Sequence, residues 1–251
     1  LKGAGGSGEA NWLRIVDNRI WGRMAGGGSS SGSSNQGLID VSAELQQKGY
    51  VLVRGNILFD NDYAIKPEKG QPQHPGRSHH WSIVGNLIFD IGERAIDLGQ
   101  NSPNAEIYFN TIVEVAAGKR WYSDYATSTG GDVRCNVLVD ARGSRSEAAD
   151  VVFSHNALVG QTDPRGSDNI VVTRQAAGLG DFCFMIKQLT APEQRCIPAA
   201  LPTKASVVAS GCPATVGQRA GVGVDDGAMG RFKGPDGEAL GGAAMGALRP
   251  Q

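Results

Sequence analysis

The chain is predicted to be all-β, a repetitive coil of short strands in which an asparagine marks the same bend of every turn. Three observations predict it. First, six asparagines stand in one frame: IVDNRIW around Asn18, LVRGNILFDN around Asn56, SIVGNLIFDI around Asn86, IYFNTIVEV around Asn110, VRCNVLVDA around Asn136 and FSHNALVG around Asn156. Second, the residue three before each is apolar (Ile15, Val53, Ile83, Ile107, Val133, Phe153), and so is the residue two after it (Ile20, Leu58, Ile88, Ile112, Leu138, Leu158). Third, the spacings of 38, 30, 24, 26 and 20 residues vary through loop-like inserts while the frame stays constant. Asparagine is disfavoured within strands, so its recurrence at one register between two β-rich runs marks a corner. A repeated corner marks a stacked solenoid. A leucine-rich repeat would need regularly spaced Leu at a short fixed period, and the chain has neither.

Each turn then contains a strand before the asparagine, a second strand after it, and a turn leading into a third. Stacked asparagine amides can bond along the axis and satisfy one another rung by rung. The third strand is visible as GLIDVS (37–42), YAIKP (63–67) and RAIDLG (94–99). Strand alternation points Ile39, Val41, Ile65, Ile96 and Leu98 inward, and Asp40, Lys66 and Asp97 outward on three adjacent rungs. Lys66 follows Asn56 by 10 residues and Asp97 follows Asn86 by 11, which gives them one register; Asp40 is placed by pattern alone. Loop insertions are expected at 24–36 and 67–80. The rungs fill residues 1–175, and the periodicity fades over 176–251. That last segment is read as an irregular C-terminal cap, because an uncovered last rung is a bare sheet edge that invites association.

The frames IVGNLIFDIGERAIDLG and VRGNILFDNDYAIKP resemble rungs of the right-handed parallel β-helix proteins of the pectate-lyase-like superfamily, over about residues 10–175. The tail GVGVDDGAMGRFKGPDGEALGGAAMGALRP resembles the closing segment of secreted bacterial β-helix proteins. The resemblance implies a right-handed parallel β-helix of three-strand rungs with an Asn ladder. It also implies that the strand preceding the variable loops carries the groups that handle substrate. It is weak for activity, since the same coil carries lyases, hydrolases, epimerases, adhesins and phage tailspikes.

The expected site is therefore the Asp40–Lys66–Asp97 column with the loop after it, where His74, Arg77, His79, His80 and Trp81 crowd together and three of the four histidines lie. On an acidic glycan, β-elimination requires a neutralised uronate carboxylate, a base for the C5 proton and help for the departing oxygen. Lys66 or Arg94 supplies the first, or a Ca²⁺ ion held by Asp40 and Asp97. A lysine between two acids makes a poor base, which favours His79 or His80 in that role. Arg77 and, from the next rung, Lys119, Trp121, Tyr122 and Tyr125 are expected substrate contacts, since aromatic faces stack on sugar rings; the same aromatics also pack under loops. Three other readings stay open. Asp40 and Asp97, two rungs or about 9.6 Å apart, suit an inverting hydrolase. The column is equally a surface ion ladder, worth under about 1 kcal/mol per pair. The whole chain is also consistent with a non-catalytic adhesin, surface-structure or phage receptor-binding module. A second column, Asp60, Asp90, Glu114 and Asp140, stands four residues after successive ladder asparagines. It is expected to cap turn N–H groups, with a bound cation as the other reading.

Composition narrows the partners. A net charge of −1 argues against nucleic acid as the main partner, and no apolar run reaches the length of a membrane span; the resemblance implies polysaccharide as the partner. Of four cysteines, Cys135 is read as a small packed side chain, and a pair among Cys183, Cys196 and Cys212, with Cys196–Cys212 favoured, as a staple in an oxidising compartment. The spacing fits no zinc motif. Residues 1–11 hold no initiator Met and no apolar core segment, so a signal peptide is expected to be absent or removed and the location secreted or periplasmic. Oligomeric state does not follow.

Overall fold

Two left-handed residues per turn set the shape of the chain. In the computed structural model, which describes residues 11–22, 37–40, 49–66, 79–98, 102–161, 166–187 and 192–202, the residue before each ladder asparagine has positive φ: Asp17, Gly55, Gly85, Phe109, Cys135, His155 and Asp168, at 55 to 65°. A second left-handed position falls four residues after the asparagine, at Asp60, Asp90, Glu114, Asp140 and Gly160. Glycine and aspartate reach this region at low cost, whereas Phe109, Cys135 and His155 are strained there by about 1–2 kcal/mol each. Each strained corner is held by what surrounds it.

What holds it is the asparagine ladder. The Nδ2 of Asn18, Asn56, Asn86, Asn110, Asn136 and Asn156 donates to the Oδ1 of the next ladder residue at 2.9–3.2 Å. The backbone N–H of the same residues donates to the same oxygen at 2.9–3.1 Å. From Asn56 onward the second Nδ2 proton goes to a carbonyl of the preceding rung, that of Ile15, Val53, Ile83, Ile107 or Val133. The amide thus replaces the strand pairing that a left-handed corner interrupts and gives the corner's backbone groups partners. The ladder has a seventh member, Asn169, in the frame SDNIVV.

Between the corners the strands stack in parallel. Asn11–Val16, Gly49–Arg54, His79–Val84, Glu106–Tyr108, Asp132–Arg134 and Val152–Ser154 form one sheet in chain order. The segments after each asparagine form the second: Arg19–Trp21, the start of Ile57–Ile65, the start of Leu87–Asp97, Thr111–Val115, Val137–Val139, Ala157–Val159 and Ile170–Val172. Ile57–Ile65 and Leu87–Asp97 bend at their left-handed aspartates and run on into the third strands. The third strands pair with each other, with Gly37–Ile39 on one side and with Arg120–Ser123 on the other, and Arg120–Ser123 in turn pairs with Ser144–Arg145. Rows such as Ile83–Ile107–Val133–Phe153 and Leu58–Ile88–Ile112–Leu138–Leu158 fill the interior. The protein is all-β with two large parallel sheets, and the one described helix, Arg174–Ala177, is a single turn.

The C-terminal segment leaves the rung pattern after Val172, and its described part is a hairpin. After that helix, Leu179–Lys187 and Pro192–Pro202 form an antiparallel hairpin that lies along the outer face of the second sheet. A second apolar cluster results, with Phe59, Phe89, Val113, Val139 and Val159 beneath Phe184, Ile186 and Ile197. Phe59 stacks on Phe89 at 4.8 Å, and Phe184 meets both edge-on at 5.6 and 6.1 Å. Residues 203–251 lie outside the described residues. The acidic column also has a different use from the turn-capping expected of it. It occupies the left-handed bends, and its side chains meet arginines of the C-terminal segment: Asp140 and Glu114 bind Arg174, and Asp90 binds Arg195 at 3.1 Å. Bonding to Asp140 holds the Arg174 pKa above its ordinary value. The disulfide differs too. Cys183 and Cys196 are directly opposite in the hairpin and joined, not Cys196 and Cys212. Cys135 is disulfide-bonded as well as buried, its partner lying outside the described residues.

Candidate functional site

The third strands place Asp40, Lys66 and Asp97 on neighbouring rungs. Ile39 pairs with Ile65, Ile65 with Ile96 and Ile96 with Tyr122, so the residues that follow share a row, and Asp97 is directly opposite Ser123. The row is not the open ladder that alternation implied. Asp97 is 2% exposed and Lys66 9%. The Asp97 carboxylate is held from both sides, by Arg94 Nη1 at 2.6 Å and by the Ser123 hydroxyl at 2.8 Å. The Lys66 amine sits 4.3 Å from the centre of the Tyr63 ring, and the Arg94 guanidinium 5.9 Å from it. Two cations near one aromatic ring, with one carboxylate already satisfied, make an electropositive strip. The Arg94 side chain is 28% exposed and is the strip's opening to solvent.

Ionisation at the strip follows from these contacts. Burial pulls the Arg94 pKa down, but the Asp97 charge and its hydrogen bond, with help from Tyr63 and Tyr125, raise it overall. Burial raises the Tyr63 phenol, with Arg94 opposing. Both groups therefore keep their protons at neutral pH. Lys119 reaches across to Glu93 at 2.6 Å on the same side of the molecule.

Several expected contacts fall elsewhere. Trp121 and Tyr122 belong to the interior cluster, at 2% and 1% exposure, and pack edge-on against Phe153. Neither ring offers a face to a sugar. Strand alternation fails at this corner, so adjacent residues both point in. Tyr125 is half-buried and bonded to Arg94, so it stays at the strip. His80 lies on the first sheet, opposite Tyr50, and not beside Lys66. Its Nε2 is 3.6 Å from Glu106, whose carboxylate also accepts from the Ser82 hydroxyl at 3.0 Å. Arg77, His74 and the His79 side chain lie outside the described residues.

The Ca²⁺ expectation does not fit the residues present. Both Asp97 oxygens are occupied by donors, and no group of three acidic, His or Cys side chains suited to a metal occurs among the described residues. No helix there is long and apolar enough to cross a membrane.

Sequence reading missed Tyr63, Ser123 and Asp124. Asp124 is buried and accepts from the Tyr122 hydroxyl at 2.7 Å, the Ser146 hydroxyl at 2.8 Å and the Glu147 N–H at 2.8 Å. Burial, then the Asp124 charge, push the Tyr122 pKa well above 10.0. A raised folded value means stability is complete below the unfolded value near 10 and is lost as pH climbs from there toward the folded one. The expected result is a steep alkaline fall in unfolding free energy that is shallower in Tyr122→Phe. Parallel pH curves for the two proteins would show that Tyr122 does not couple to folding.

Compared with protein-family models, curated proteins and solved structures, the chain matches none of them.

Proposed function

We propose that the chain is a right-handed parallel β-helix protein of the pectate-lyase-like kind, secreted or periplasmic, that binds an acidic polysaccharide along its third strands and cleaves it by β-elimination. The observation that carries this is the pair of cations, Lys66 and Arg94, over the Tyr63 ring in the row of the third strands. A uronate carboxylate placed at Arg94 would have its charge neutralised, which acidifies the adjacent C5–H. A base then takes that proton, the C4–C5 double bond forms, and the C4–O bond breaks with its electron pair going to the departing oxygen, which is protonated. With His80 held against Glu106, the base role passes to His79. In this reading Asp97, bonded by Arg94 and Ser123, acts as the positioning residue for the guanidinium.

A second reading is a non-catalytic glycan-binding β-helix, favoured by the prior engagement of both Asp97 and His80. Incubation with polygalacturonate and alginate separates the two. The lyase reading expects ultraviolet absorbance from the unsaturated uronate to grow with time, to vanish in His79→Ala, and to fall about 100-fold or more in Lys66→Ala with Arg94→Ala. Binding without product favours the second reading. Neither binding nor product from any acidic glycan sinks both.

A further inference from the structure

Residue 161 is polar where the core should be apolar. Five residues after the ladder asparagine, the rungs of Asn86, Asn110 and Asn136 bury Ile91, Val115 and Ala141 in one corner of the interior, while the Asn56 rung has a half-buried Asn61 that donates to the Tyr63 carbonyl. Gln161 takes that place in the rung of Asn156 and is 6% exposed. Its Nε2 donates to the Leu138 carbonyl at 3.2 Å, which fixes the orientation of the amide, since only the NH₂ end can donate. Its Oε1 is buried with no hydrogen-bond partner, an arrangement that a folded protein rarely leaves without a reason.

Gln161 lines a cleft of about 610 Å³ together with Arg142, Val171, Val172 and Arg174, a volume in the range of small-molecule sites. Arg174 is already neutralised by Asp140 and Glu114. Arg142 is exposed and makes no ion pair among the described residues. Val171 pairs with the buried Leu158, an inward register, yet is 55% exposed, so it offers the end of the core as an apolar floor. The cleft therefore combines a cation, a buried acceptor awaiting a donor, and an apolar face.

We infer that this cleft is a second binding site, one that takes an acidic sugar unit with its carboxylate on Arg142, a hydroxyl donating to Gln161 Oε1, and the C–H face of its ring on Val171. Arg142 lies two residues before Ser144–Arg145, which is in register with Tyr122–Ser123 and through Ser123 with Asp97. The cleft thus ends the same stack of third strands, two rung spacings or about 10 Å beyond the Asp97 rung. The choice of a sugar acid over a peptide carboxylate rests on the acidic-glycan function proposed above; the site itself rests on Gln161 and Arg142.

The test is calorimetric titration of the full chain with digalacturonate, and with a neutral disaccharide as control. The Lys66→Ala, Arg94→Ala double variant removes the strip and leaves the cleft as the place of binding. Introducing Arg142→Gln or Gln161→Leu into that double variant should weaken what remains about tenfold or more. Both changes suit their surroundings, one being exposed and the other matching an apolar corner. Residual binding that neither change weakens would overturn the site, as would a double variant that binds nothing while the unmodified chain binds. Loss of all binding in Arg142→Gln alone, with the double variant unaffected, would uphold the cleft and remove the strip from the functional reading. Equal competition by a dipeptide carboxylate would overturn the sugar assignment.

Discussion

Replacing Asn86 by Leu should cost on the order of 4 kcal/mol or more, against a total stability of about 5–15 kcal/mol for a typical domain. Asn86 makes four side-chain hydrogen bonds: its Oδ1 accepts from the Asn56 N–H and Nδ2, and its Nδ2 donates to the Val53 carbonyl and Asn110 Oδ1. Leucine removes all four and takes these partners from the Asn56 N–H, one Asn56 Nδ2 proton and the Val53 carbonyl, at about 1–3 kcal/mol for each group left unpaired. The volume is similar, so relaxation of the corner cannot restore what the amide supplied. Asn18, at the exposed end of the same ladder, gives the control. Asn18→Ala should cost under about 1 kcal/mol, because water replaces the lost partners. Urea denaturation followed by far-ultraviolet circular dichroism would read both. Equal midpoints for the two variants would mean that the ladder is a by-product of stacking and not its support.

Truncating Phe184 to Ala should cost about 3–5 kcal/mol and act on one element. Phe184 is buried against Phe59 and Phe89, with the Arg19 guanidinium 5.6 Å from its ring. Without it the hairpin loses its main apolar anchor to the second sheet, while the ladder and the interior rows are untouched. Hydrogen exchange should therefore accelerate over Leu179–Lys187 and Pro192–Pro202, and deuterium uptake at the interior strands His79–Val84 and Glu106–Tyr108 should hardly change. Uniform acceleration through every strand would show instead that hairpin and sheets unfold as one unit.

The repeat itself was legible because its corner demands one side chain. Only a carboxamide offers an acceptor and two donors in one short group, so the asparagines stand out against apolar neighbours. Asn169 escaped because its rung is 13 residues long and has Gly166, not an apolar residue, three positions earlier. The placing of Lys66 and Asp97 followed from offsets to the ladder, and that of Asp40 from strand pattern alone. The burial of the row did not follow, because exposure depends on Tyr63, Arg94 and Ser123 closing around it from other rungs. Trp121 and Tyr122 were misplaced for a local reason: period-two alternation holds along a strand and breaks at a bend. The hairpin's resting place did leave a trace. The triplets Ile57–Phe59, Leu87–Phe89, Val137–Val139 and Ala157–Val159 are apolar at every position, which is what a strand covered on both faces requires.

The ladder bonds are nearly identical in length although the segments between successive asparagines run from 38 residues down to 13. Stacking is thus indifferent to how far the chain travels between one corner and the next. Loop-closure entropy grows only with the logarithm of loop length, about 0.6 kcal/mol per doubling, so a rung can acquire or shed a dozen residues at little thermodynamic cost. Such a scaffold separates heredity of form from change of surface. Its descendants can explore new ligands by lengthening one excursion at a time, with the spine copied unchanged beneath.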